Sequence, residues 1–368
     1  METKVSTTDR KRILICRTGG IGDVIQTLPL VRYIKSKSPL ARIEYLTSGD
    51  IKGLLVACCP YIDHVWEYSK EREDKLSREI LQDGQKIDYF INLHSSYKFA
   101  IFNFLKIKAK KYFQYKKNNK LHAVINFAKT FDTSISAFSL PTKTIFVEEP
   151  KKNLNLYKLA EKKYLCFVVG VGSIRPNRGW SIENWIMLAK KFLISNPEFK
   201  IVLLGGKNEQ RILQNWYKLS KVITEPNNDQ YEVSFFNGKA IDLTGKLNLE
   251  ENAKLISKSY LLVSCDTGLL HLASGLSIKA IGLFGPTSSE RTGPLCGNSE
   301  TISKPCDCKK QIINFFSGEP KSCRKTKMLM GECLSKITPN DVLSRITHEV
   351  QIIDKSWEMK TAGKEIMY

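Results

Sequence analysis

The chain of 368 residues is short of several features that would fix its class at once. No apolar run approaches the ~18 residues of a membrane-spanning helix. The stretch Met1 to Arg12 is polar and basic with no apolar core behind it, so no signal peptide is expected and a cytoplasmic protein, at most peripheral to a membrane, is. There is no Asp-x-Asp pair, so the divalent-metal clamp of many sugar-nucleotide enzymes has no evident ligands. A Gly-x-Ser-x-Gly elbow, a His-Glu-x-x-His helix, a G-x-G-x-x-G fingerprint and a P-loop are missing as well. Acidic residues are in deficit, 37 against 57 Lys and Arg, for a net charge of +20. That balance favours anionic partners: nucleic acid, an anionic membrane surface or phosphorylated substrates. A Lys-rich composition with solvated lysines accounts for it equally well.

What is present is enough chain for two domains, with 42% hydrophobic and 10% aromatic residues to fill two cores. Apolar runs alternate with amphipathic stretches. Arg12 to Arg17, Arg42 to Thr47, His64 to Tyr68 and Asp88 to His94 read as strands. A helix is expected from about Asp23, with Val24, Leu28, Val31 and Ile34 on one face and Pro29 kinking it or ending its first turn. Pro141 to Leu159 breaks the rhythm and reads as a linker. Strands then resume at Tyr164 to Gly170, Lys200 to Leu204, Leu261 to Cys265 and Ala280 to Phe284, with a helix capped by Ser181. The expectation is an α/β protein with mostly parallel sheets in two units, 1–150 and 151–345, followed by a tail at 346–368, with a cleft between the units where a ligand sits.

Loops that follow these strands carry the candidate chemistry. In Thr18-Gly19-Gly20-Ile21-Gly22-Asp23, the glycines let the backbone turn sharply and approach a ligand closely, and a helix start offers free N–H groups and partial positive charge. Asp23 reads either as a plain cap of that helix or as a general base for an acceptor hydroxyl. In Ser264-Cys265-Asp266-Thr267-Gly268-Leu269-Leu270-His271, Thr267 and His271 stand four apart and share a face. Backbone N–H groups, a hydroxyl and an imidazole would there converge on an anion such as a diphosphate; the alternative has Asp266 capping and His271 packing beside the sheet. In the loop Gly172 to Trp180, Arg175 and Arg178 can reach phosphate oxygens, or the loop is merely basic and solvated. A fourth loop, Phe284 to Thr287 through Arg291 to Pro294, places hydroxyls and one Arg on the same sheet edge.

Of the ten cysteines, six are scattered and several of those read as small core residues. Cys306, Cys308, Cys323 and Cys333 fall within 28 residues and read either as a tetrahedral zinc or iron site or as free, redox-labile thiols. Basic clusters occur at Lys106 to Lys120, with aromatics interleaved, and at Lys321 to Lys327. The first suits a nucleic-acid strand or the neighbourhood of an acidic glycolipid.

Taken together, the ordered segments ILICRTGGIGDVIQTLPLVRYIK, GVGSIRPNRGWSIENWIMLAKKF, IVLLGG, IDLTGKLNLEENAKLI, SCDTGLLHLAS and LFGPTSSERTGP resemble glycosyltransferase family 9, the ADP-heptose:lipopolysaccharide heptosyltransferases. The resemblance implies a GT-B architecture, two Rossmann-like domains facing a central cleft, with acceptor on the first and nucleotide sugar on the second. It implies inverting transfer of heptose from ADP-heptose with no cofactor required for catalysis. The catalytic Asp falls on Asp23, beside the loop glycines Gly19, Gly20 and Gly22. Donor and diphosphate contacts fall on Ser173, Arg175, Arg178, Asp266, Thr267, Gly268, Leu269, His271 and Thr287. The basic residue before Trp180, commonly Lys in the family, is Arg178, and Cys306-Asp307-Cys308 is tighter than the expected C-x-x-C. The acceptor would be an anionic glycolipid or oligosaccharide of the lipopolysaccharide core, met at the cytoplasmic face of the inner membrane, with no specific nucleic acid. Rival readings are another sugar donor or a protein or capsule acceptor, a sugar-nucleotide epimerase, and a basic nucleic-acid-binding protein.

Overall fold

The computed structural model describes residues 10–148, 159–171, 176–209, 234–235, 239–295, 299–304 and 332–347. In the first lobe, β1 (Arg12–Cys16), β2 (Arg42–Thr47), β3 (His64–Glu67), β4 (Tyr89–Asn92) and β5 (Lys111–Gln114) form a parallel sheet in the order β3-β2-β1-β4-β5. Every residue of β1 is buried, as a parallel strand covered on both faces requires. The second lobe holds β6 (Tyr164–Val168), β7 (Lys200–Leu204), β8 (Ser234–Phe235), β9 (Ala240–Asp242), β10 (Leu261–Cys265), β11 (Ala280–Phe284) and β12 (Glu300–Ser303), ordered β12-β11-β10-β6-β7-β9-β8. Among the described strands of this sheet, only β8 runs antiparallel. Helices between the strands are α1 (Ile21–Ile25), α2 (Leu28–Lys37), α3 (Gly49–Cys58), α4 (Glu73–Leu81), α5 (Lys98–Phe102) and α6 (Ala123–Ala128) in the first lobe. The second has α7 (Ile182–Ser195), α8 (Leu249–Ser257), α9 (Gly268–Gly275), α10 (Ser289–Thr292) and α11 (Glu332–Ser335). Ser181 caps α7 by accepting from the Asn184 amide at 3.2 Å, as the sequence led us to expect.

In both sheets the strand order reverses beside the lobe's first strand, between β1 and β4 and between β6 and β10. Such switch points open a crevice at the carboxyl ends of the strands, where α/β proteins bind ligands. The Thr18 to Asp23 loop follows β1; the Arg178 and Asp266 loops follow β6 and β10.

Of the two expectations for Pro29, the structure has the second: the run from Asp23 ends after its first turn. It is two helices, broken at Gln26 and Thr27, and Pro29 lies in the first turn of the second, where its missing N–H loses nothing.

The two lobes pack directly. One cluster of buried apolar residues runs through both, from Val24 and Leu54 to Leu255 and Leu270. Residues 144–146 lie between them: the Thr144 and Ile145 amides both donate to the Gly275 carbonyl, at 2.7 and 2.9 Å, and the Phe146 amide to Cys58 O at 2.8 Å. A Cβ on Gly275 would stand 2.9 Å from Ile145 Cδ1, so the Ile145 side chain would have to shift to admit one. Leu334, Ile337, Val342 and Ile346 are buried in the second lobe's core, and the rest of the expected tail, from 348, lies outside the described residues. Among the described residues, no helix is long and apolar enough to cross a membrane.

Candidate active site at the lobe junction

On the first lobe, the site is built where β1 ends. Gly19 has a φ of +154°, which strains any side chain. The Thr18 amide donates to His94 Nε2 at 2.7 Å. Burial, with the nearby charges of Arg17 and Lys98, pushes the His94 imidazole down to about 3, so at neutral pH its ring nitrogen is free to accept that bond. Gly20 is the extended N-cap of α1 and no side chain caps it, so Asp23 is not a capping residue. Its carboxylate turns back to Arg17 Nη2 at 3.1 Å, with 28% of the side chain accessible. Arg17 is itself buried, donates to Leu93 O at 2.7 Å and lies over the Phe127 ring. It thereby ties the β1 and β4 sides of the switch point together.

The second lobe has a matching arrangement. Arg178, in the short turn Pro176–Arg178, donates to Asp266 Oδ2 at 3.2 Å across its own switch point, and both side chains are buried. His271 Nε2 lies 3.7 Å from the other Asp266 oxygen. Burial opposes ionisation of Asp266, but its hydrogen bond with His271 and the Arg178 charge outweigh this and hold the carboxyl below its ordinary range. Asp266 therefore spends its carboxylate on these partners; the N-cap of α9 is Thr267, with no side-chain capping bond. The Thr267 and Ser264 hydroxyls are 2.9 Å apart. Leu269 packs its side chain in the shared core, and the Thr287 side chain is buried. Ser173 and Arg175 lie outside the described residues.

The halves meet at His271. A Cβ on Gly22 would stand 2.5 Å from its Cδ2, and Gln26 Nε2 lies 3.4 Å from its Nδ1. Beside it, a Cβ on Gly268 would stand 2.9 Å from Ile21 Cβ. The lobes are thus in contact over the start of α9. Next to this contact Asp23 opens onto a cavity lined by Arg17, Gln26, Ser95, Tyr115, Lys117 and Arg291, with about 390 Å³ of empty space. That space includes open solvent; the enclosed part is only about 30 Å³. The loop that carries Arg291 reaches the first lobe through Gly293 O, 3.0 Å from His122 Nε2, and Thr292 O, 3.4 Å from Gln26.

Sequence reading missed Arg17, Gln26, Tyr115 and Lys117 as site residues. Tyr115 and Lys117 belong to the aromatic-basic cluster noted in the sequence, which was the available signal. Arg17 closes an apolar strand run and gave none.

Of the cysteine cluster, Cys306, Cys308 and Cys323 lie outside the described residues. Cys333 is buried at the back of the Phe284 loop, its sulfur 2.8 Å from where a Cβ on Gly285 would stand. Cys16, Cys58, Cys59, Cys166 and Cys265 are buried core residues, as several were expected to be. Burial pushes the Cys59 and Cys166 thiols up to about 12, which leaves them protonated and unreactive.

The sequence model of glycosyltransferase family 9 (heptosyltransferase) matches residues 83–314. A lipopolysaccharide heptosyltransferase 1 from Campylobacter coli is 26% identical, over 91% of this chain and 98% of its own. Among solved structures, E. coli ADP-heptose lps heptosyltransferase II aligns at a TM-score of 0.71 with 19% identity, over 94% of this chain and 99% of that one. E. coli heptosyltransferase WaaC with ADP-2-deoxy-2-fluoro heptose aligns at 0.60 with 18% identity, over 92% and 99%. The shared fold is GT-B.

Proposed function

The chain belongs to glycosyltransferase family 9, and from that premise we propose that it moves heptose from ADP-heptose to a hydroxyl of a lipopolysaccharide or lipooligosaccharide core acceptor, with inversion and without a catalytic metal. It is a glycosyltransferase. Its full-length relative is a lipopolysaccharide heptosyltransferase, and the solved WaaC binds a fluorinated ADP-heptose. The observation that carries the reading is the meeting of two unlike halves. A partly accessible carboxylate, Asp23, stands at one switch point, and an Arg–Asp–His set at a helix start stands at the other, with His271 seated on Gly22.

In this reading the donor diphosphate rests on the amino end of α9 and on Arg178, with Ser173, Arg175 and Thr287 at its edge. The free N–H groups of Gly268 and Leu269 and the fixed positive charge offset the charge that develops on the leaving group. Asp266 orients Arg178 and His271. The acceptor sugar enters the cavity at Asp23, which takes the hydroxyl proton as the oxygen attacks the anomeric carbon from the face opposite the diphosphate. Arg17, Lys117 and Arg291 make that cavity attractive to an acidic core saccharide. Ile21 against Gly268 covers the start of α9, so the donor enters when the lobes part, and their closure excludes water.

Residues 1–150 would serve the acceptor and 151–345 the donor, on the cytoplasmic face of the inner membrane. Cys306, Cys308, Cys323 and Cys333 are thiols of the kind that hold a structural zinc or iron; elemental analysis of the purified protein decides, and under about a tenth of an equivalent counts against it.

The test of function is a donor panel scored for nucleoside diphosphate release. Acceptor-dependent release from ADP-heptose supports the proposal. A different sugar preferred by more than ~100-fold, or conversion of donor with no acceptor added, overturns it.

A further inference from the structure

Helix α5 continues into a π-helical turn, Asn103–Ile107. One side of this two-turn element, with Phe99, Phe102 and Ile107, is buried in the first lobe. The other side presents Tyr97, Ile101, Phe104 and Leu105, which are 76%, 57%, 77% and 56% exposed. These are four of nine large apolar side chains left exposed among the described residues. Single exposed apolar side chains are ordinary; four on one short face are not. A helix apolar all round is stable when both sides are covered.

The charge around this face says what covers it. Residues 89–131 contain nine lysines and no Asp or Glu. Lys98, Lys106 and Lys108, carried on the same two-turn element and its end, are exposed. Lys106 pairs with Asp74 at 2.5 Å, but that carboxylate is 74% exposed, so the pair exchanges for another anion at little cost. A second copy of so basic a face would be repelled. Nucleic acid would gain nothing from Ile101 and Leu105, which cannot stack on bases. An anionic bilayer satisfies both features, because apolar side chains enter the boundary of headgroups and acyl chains while lysines meet lipid phosphates.

We propose that Tyr97, Ile101, Phe104 and Leu105, with the surrounding lysines, form a wedge that docks the first lobe on an anionic phospholipid bilayer. The placement suits the site. Ser95 of the Asp23 cavity lies two residues before the wedge, and His94, which accepts from the Thr18 amide, stacks on Phe99 with ring centroids 4.8 Å apart. The inference rests on the proposed function only for a lipid-borne acceptor, and binding is measured without one.

The experiment is sedimentation of the full-length chain with acceptor-free vesicles containing about 30% phosphatidylglycerol, against neutral phosphatidylcholine vesicles. Binding to the anionic vesicles is expected, weakening as salt rises. The double variant Phe104→Ser, Leu105→Ser should lose at least about tenfold in partition, and Lys106→Glu, Lys108→Glu a similar factor. Acceptor-dependent turnover with a short water-soluble saccharide should stay at the parent level in both, which shows that they fold. Wild-type protein that stays off anionic vesicles overturns the inference. So does undiminished binding by the Phe104, Leu105 variant. A wild-type dimer that this variant converts to monomer, or tighter binding to a single-stranded oligonucleotide than to the vesicles, assigns the face elsewhere and also overturns it.

Discussion

Arg17 Nη2 lies 3.1 Å from the Asp23 carboxylate while Nη1 of the same guanidinium donates to Leu93 O. The carboxylate is therefore aimed by a group that is itself fixed to the far side of the switch point. Replacing Asp23 with Asn keeps the shape and removes the base. We expect kcat to fall by about 10²–10⁴-fold with the donor KM changed by less than about threefold. Arg17→Lys keeps a charge but cannot serve Asp23 and Leu93 O together from a planar fork, so a smaller kcat loss, about tenfold, is expected. Steady-state kinetics with a saturating acceptor measure both, and an Asp23→Asn enzyme with most of its turnover would reduce Asp23 to a partner of Arg17.

Arg178 and Asp266 test a different quantity. Both are buried, so Arg178→Met takes the guanidinium from a buried carboxylate that then keeps His271, and the loss approaches but does not exceed the about 3–5 kcal/mol of a fully broken buried pair. The double variant with Asp266→Asn removes the stranded charge. It should recover more than half of the lost thermal stability while donor binding stays weak. Thermal unfolding followed with and without ADP separates the two effects. A double variant no more stable than Arg178→Met would mean that the pair is not what holds Asp266 ionised.

The contact of Gly22 with His271 makes a prediction about lobe closure. Gly22→Ala adds a methyl 2.5 Å from the imidazole edge, in a ring flanked by Asp266 and Gln26. The ring has little room to yield, so the lobes must shift by some tenths of an ångström or more. We expect transfer to fall about 10²-fold from such a displacement with little loss of first-lobe stability. Slow donor hydrolysis should rise relative to transfer, because a looser junction admits water. The ratio of the two products, taken from one reaction, reports it.

Much of this architecture is legible in the sequence because parallel strands buried on both faces leave unbroken apolar runs. RILIC and LLVSC announce β1 and β10, and the glycines after β1 announce a tight turn into a helix. The break between α1 and α2 was partly legible: the same apolar face continues through Val24, Leu28 and Val31, but Pro29 announces an interruption, which falls at Gln26 and Thr27. The site was half legible. Asp23, Arg178, Asp266 and His271 sit in loops with recognisable punctuation. Arg17, Tyr115 and Lys117 join them through sheet order, which places the end of β1 beside the segments after β4 and β5, and no local pattern encodes that adjacency.

His94 offers a prediction about pH. Its imidazole is pushed down to about 3 by burial first and by the Arg17 and Lys98 charges second, against about 6.5 in an unfolded chain. Between these values the unfolded chain holds a proton that the folded one does not, so stability rises with pH across the interval. The contribution is complete above about pH 6.5 and is lost as the pH falls toward 3. Its slope is at most about 1.4 kcal/mol per pH unit. His94→Gln leaves an acceptor for the Thr18 amide but carries no titrating group. The variant should be less stable than the parent at pH 7, because the Phe99 stack is weakened, and should lose that disadvantage steadily between about pH 6 and 4. Denaturant midpoints taken at intervals over that range check it. Parallel curves for parent and variant would show that His94 takes up its proton in the folded protein as readily as in the unfolded one, and that the Thr18 loop is not held by a neutral imidazole.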